Sequence, residues 1–74
     1  MDTHVKVYYS LRYPATGDVR SIVARYDIVG TGFRVPGVGE RIRRDGRSFL
    51  VERVTWDLDS PAHQQEVDVV ATEV

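Results

Sequence analysis

From Val5 to Tyr13 the apolar residues fall on every second position: Val5, Val7, Tyr9, Leu11 and Tyr13 alternate with Lys6, Tyr8, Ser10 and Arg12. A period of two puts successive side chains on opposite sides of an extended chain, so a first strand with one apolar face is expected from about Thr3 to Tyr13. A helix needs apolar residues three and four apart, and no stretch keeps that spacing long enough for a helix of ordinary length. Val is the commonest residue. With Ile, Thr, Tyr and Phe it fills the segments between Gly, Pro and Asp, a composition that suits pleated, half-buried surfaces. The 74 residues hold no repeat and no low-complexity linker, so one all-β domain over 1–74 is expected.

The remaining strands follow from the same alternation. Pro14-Ala15-Thr16-Gly17-Asp18 reads as a hairpin loop. A second strand is expected from about Val19 to Val29, with Ile22, Ala24, Tyr26 and Ile28 on one face and Ser21, Val23, Arg25 and Asp27 on the other. Both strands exceed the usual length of about 5–6 residues. The irregular stretch Gly30–Glu40 carries four of the six glycines. Pro36-Gly37 suits a type II turn, and Phe33, Val35 and Val38 are expected to pack down over one end of the core. A short strand from about Glu40 to Arg44 precedes Asp45-Gly46, a two-residue type I′ hairpin signal.

The strand returning from Arg47 to about Leu58 changes parity. Phe49 and Val51 are odd-numbered, whereas Val54, Trp56 and Leu58 are even. One extra residue near Glu52-Arg53 restores a single inner face, so a β-bulge is expected there, with Trp56 in the core. Asp57 to Gln65 reads as a loop. The last strand, about Glu66 to Thr72, turns Val67, Val69 and Ala71 inward. The expected architecture is a small five-stranded, partly open antiparallel barrel with a long N-terminal hairpin and a bent fourth strand, which limits exposed edges. The alternative is a flat twisted sheet that buries its second face in a partner.

The run Val35-Pro36-Gly37-Val38-Gly39-Glu40-Arg41-Ile42, followed by Asp45-Gly46-Arg47-Ser48-Phe49-Leu50-Val51-Glu52-Arg53-Val54-Thr55-Trp56, resembles the central hairpin of small Src-homology-like β-barrels. It is similar in particular to the short barrel proteins of tailed-phage head–tail connectors and neighbouring accessory genes. The resemblance covers Val35 to Trp56 and implies a barrel that serves in phage or prophage assembly, in the cytoplasm or on the virion.

Charge is split along the chain. Residues 1–53 carry all ten basic residues and six acids, a net +4, whereas 54–74 carry five acids and no base, a net −5. Nine of the ten bases are Arg, whose planar guanidinium grips carboxylate or phosphate through paired hydrogen bonds. Arg41, Arg43, Arg44 and Arg47 surround the Asp45-Gly46 turn. They are candidates for binding an anion or nucleic acid, or for pairing with the acids of the last strand. The overall charge of −1 argues against nucleic acid as the first choice of partner. Tyr8 lies on the polar face of its strand near Val23, with Arg25 beside it. These three are the candidate protein interface, because an exposed aromatic next to an aliphatic side chain makes an interface anchor.

No chemistry-bearing constellation emerges. There is no cysteine, His4 and His63 lack zinc-site spacing, and Asp57-Leu58-Asp59-Ser60 reads as a polar turn rather than a calcium loop. Gly30-x-Gly32 and Gly37-x-Gly39 lack the helix of a phosphate loop. Ser10, Ser21, Ser48 and Ser60 lack the context of a nucleophile elbow. Neither metal nor cofactor is expected, and no apolar run approaches the roughly 20 residues that span a bilayer. The reading is a non-enzymatic cytoplasmic module that self-associates or docks on a partner protein, away from membranes. The alternative is a small nucleic-acid or nucleotide binder.

Overall fold

The computed structural model describes residues 4–27, 35–61 and 64–74. The expectations for Ile28, Gly30-x-Gly32, Phe33 and His63 fall outside the described residues. Five strands form one sheet: β1 (His4–Tyr13), β2 (Asp18–Asp27), β3 (Arg41–Arg44), β4 (Arg47–Asp57) and β5 (Gln64–Glu73). Their order across the sheet is β2-β1-β5-β4-β3. The sheet curls into a half-barrel whose two edge strands, β2 and β3, line opposite walls of one groove. No helix among the described residues is long and apolar enough to cross a membrane.

The sheet is mixed, which corrects the expected antiparallel barrel. β1 pairs with β2 antiparallel, from His4↔Asp27 to Tyr13↔Asp18, but with β5 parallel, from His4↔Gln64 to Arg12↔Thr72. The cause is topological. Each of the four connections reverses the chain, so the first and last strands point the same way. Curling the sheet to bring them together makes that one seam parallel. The β3–β4 and β4–β5 pairs are antiparallel.

The bulge falls where the parity change puts it. Val51 stands opposite Ala71 and Arg53 opposite Val70, which leaves Glu52 as the extra residue. Phe49 and Val51 before it, and Val54 and Trp56 after it, thus share the inner face. The buried core is Val5, Val7, Leu11, Phe49, Val51, Val67, Val69 and Ala71, all from the three central strands. Tyr9, Tyr13, Ile22, Tyr26, Val35, Ile42 and Val54 pack around it, partly buried.

Three apolar residues depart from expectation. Trp56 is 47% exposed rather than core, because β3 pairs only with Arg47–Leu50 and, among the described residues, no strand lies beside the far end of β4 on that side. β4 ends at Asp57, so Leu58 lies in the following turn, 91% exposed. Val38 is exposed as well, at a turn tip. That turn sits two residues later than Pro36-Gly37 suggests. Glu40 N–H donates to the Gly37 carbonyl, and the positive φ, +90°, belongs to Gly39. The Gly37 N–H instead donates to the Glu40 carboxylate, which holds the turn shut.

Asp45 and Gly46 both have positive φ, 52° and 76°, the type I′ geometry that matches strand twist. A Cβ on Gly46 would meet no atom within 4 Å, so any penalty there is purely conformational. Gly46→Ala should therefore cost about 1–2 kcal/mol, read as a lower urea midpoint with an unchanged slope. An unchanged midpoint would show that this turn does not hold its left-handed pair in solution.

Candidate functional site

The outer face of the sheet carries the candidate interface. Tyr8 and Val23 are direct cross-strand partners, and Lys6 pairs with Arg25 one row along. Across the parallel seam, Tyr8 faces Asp68 and Lys6 faces Glu66, and Glu66 in turn faces Asp57. One row of the sheet thus reads Arg25, Lys6, Glu66, Asp57. The end-to-end charge split of the sequence becomes a side-to-side split on one surface.

Tyr8 is half-buried. Its hydroxyl donates to Glu66 Oε1 at 2.7 Å. That bond is the main reason its pKa is raised, with burial and the negative charges of Glu66 and Asp68 adding to it. The ring is therefore anchored in place, while Val23 beside it is 59% exposed and Val19, at the start of the same strand, 60%. Arg25 is exposed next to Val23 on that face. Tyr8, Val23 and Arg25 are brought together.

The four hairpin arginines are not brought to one surface. Arg41 and Arg43 pair with Leu50 and Ser48 on the outer side of β3, while Arg44 stands across from Arg47 on the side of Ile42 and Phe49. Arg47 reaches Glu73 of the last strand at 3.5 Å and lies over the Tyr13 ring, 5.6 Å from its centre. Among the described residues Arg44 has only a loose 3.9 Å contact with Asp45. Exposed pairs of this kind contribute at most about 1 kcal/mol. Arg20 lies over the same Tyr13 ring at 5.7 Å. This gathering of two guanidiniums about one ring was not anticipated, although Arg20 shares its strand face with Ile22 and Ala24.

Two concave features flank these surfaces. The groove between β2 and β3, about 360 Å³, is lined by Tyr9, Leu11, Ile22, Ala24, Tyr26 and Ile42, with Arg43 and Arg44 beside them. Inside it the Tyr9 and Tyr26 hydroxyls are 3.1 Å apart. Burial, and then the bond to Tyr26, push the Tyr9 hydroxyl well above its ordinary pKa. A second cavity, about 290 Å³, lies at the β4–β5 turn and gathers His4, Lys6, Asp57, Asp59, Ser60 and Glu66. Sequence spacing left His4 isolated. The β1–β5 seam is what carries it to the acids. Among the described residues no group of three His, Asp or Glu could hold a metal ion.

Comparison with family models, with curated proteins and with solved structures finds no match to this chain.

Proposed function

We propose that this protein is a non-enzymatic interaction module that assembles with copies of itself or with a partner protein through the outer face of β2 and β1. The observation that carries the reading is Val23, 59% exposed on a ten-residue edge strand, next to a Tyr8 ring that is already anchored by Glu66. A fixed aromatic loses little conformational freedom on binding, and an aliphatic neighbour adds apolar area at the centre of a contact. Natural edge strands tend to be short or heavily charged to prevent pairing with other chains; β2 carries Asp18, Arg20, Arg25 and Asp27, yet it is ten residues long and keeps Val19, Ile22, Val23 and Ala24. The charge row Arg25, Lys6, Glu66, Asp57 adds complementarity between copies. In this reading the β1–β2 pair is the docking arm, and the resemblance of Val35–Trp56 to phage connector barrels fits a part in phage or prophage assembly.

Nucleic-acid binding by Arg41, Arg43, Arg44 and Arg47 has less support, since these residues divide between two sides of the hairpin and Arg47 is turned to Glu73.

The test is Tyr8→Ser with Val23→Ser. The double variant should keep the far-UV dichroism of a folded β protein while its solution mass falls to the 8.4 kDa monomer. A folded double variant with the mass of the parent assembly would reject this face.

A further inference from the structure

The cavity at the β4–β5 turn is more than a group of acids. His4 lines it and is only 6% exposed, and its Nδ1 is a buried side-chain nitrogen with no hydrogen-bond partner among the described residues. Buried polar atoms are paired in the great majority of cases, so an unpartnered one at a cavity calls for a ligand. Around it stand the carboxylates of Asp57, Asp59 and Glu66 against one ammonium, Lys6. Some of that capacity is used. Glu66 accepts from Tyr8 at 2.7 Å and from Ser60 Oγ at 3.5 Å, and Asp57 Oδ1 accepts the Asp59 N–H at 2.9 Å. The Asp59 carboxylate has no ion pair among the described residues.

The acceptors are too dispersed for a metal ion. A guanidinium suits them better, because its five N–H groups spread over a plane and can serve several acceptors at once. Pro61 and Gln64 complete the lining and leave room for the stem of such a side chain.

We propose that this cavity is an arginine-binding site, and that its occupant is Arg41 or Arg43 of a second copy. This rests on the reading of the chain as an assembly module. Both arginines are exposed on β3 and have no ion pair among the described residues. They pair with the first residues of β4, whereas the cavity lies at its last residue, so donor and receptor occupy opposite ends of one molecule about 43 Å long. A contact between unlike ends is head-to-tail, and it builds rings or chains of copies. Through Glu66 the cavity is continuous with the Tyr8 face.

The experiment is done on the full chain carrying Arg41→Gln and Arg43→Gln, which empties the cavity of a neighbour's side chain without altering it. The variant is titrated with Nα-acetyl-arginine amide and followed by amide NMR, with Nα-acetyl-glutamine amide as control. Saturable shifts confined to the surroundings of His4, Asp59, Ser60 and Glu66 are expected, absent with the control and weakened at least about fivefold by Asp59→Asn. No localised shift, or equal shifts with the control, overturns the site. The mass of the Arg41→Gln, Arg43→Gln variant reads the occupant. A fall below that of the parent supports the second copy, and an unchanged multimer overturns it. A parent that is already an 8.4 kDa monomer would remove self-association altogether, while the titration would still decide the cavity.

Discussion

Phe49→Ala should leave most of the chain unfolded at 25 °C. Phe49 is fully buried, the largest side chain in that state, and meets the Tyr13 ring edge-on at 5.3 Å and 85°. It joins β4 to Ile42 of β3 on one side and to β5 on the other. Truncating a buried Phe costs about 3–5 kcal/mol, through lost transfer energy and the cavity left behind. A single core of this size supplies about 3–5 kcal/mol in total. The two magnitudes match, so loss of the β dichroism and of any cooperative urea transition is expected. A variant that still unfolds cooperatively within about 1 kcal/mol of the parent would show that the core does not close around Phe49.

Raising the pH past 10 should unfold the parent. Tyr9 and Tyr8 both have hydroxyls whose pKa lies above the ordinary value of 10.0 in the folded chain, Tyr9 through burial and the bond to Tyr26, Tyr8 through the bond to Glu66. A raised folded-state value means that the fold prefers the protonated form. The stability this contributes is intact below about pH 10 and is lost as pH climbs from there toward the folded-state values. Loss of β dichroism should therefore accompany ionisation of Tyr9, read as the difference in phenolate absorbance between the parent and Tyr9→Phe. Tyr9→Phe should make the decline above pH 10 shallower, since one coupled proton is gone. Full tyrosine ionisation in a chain that keeps its dichroism would contradict the half-barrel environment assigned to Tyr9.

Much of this fold was legible because strand parity is a local signal. The alternation in Val5–Tyr13, the odd-to-even switch between Val51 and Val54, and the Asp45-Gly46 pair each specify their own neighbourhood, and the bulge, the turn and the inner faces follow. What was not legible depends on which strands meet. The parallel β1–β5 seam was missed because pairing partners are not written in a strand's own residues. The seam in turn sets His4 opposite Gln64 and Lys6 opposite Glu66, and so gathers scattered residues into one cavity. The exposure of Trp56 has the same origin, since its apolar position on β4 is clear but the shortness of β3 opposite it is not. Tyr8 next to Val23 was readable, as both lie on the polar faces of adjacent strands. The acid that anchors Tyr8 lies 58 residues away.

The central claim, that this domain works by assembling, is tested most directly by the mass of the parent chain in solution, measured by light scattering during size exclusion at low and at high salt. The account predicts a species heavier than 8.4 kDa at low salt that loses mass as salt screens the contact between arginine and carboxylate. A clean 8.4 kDa monomer under both conditions would contradict it.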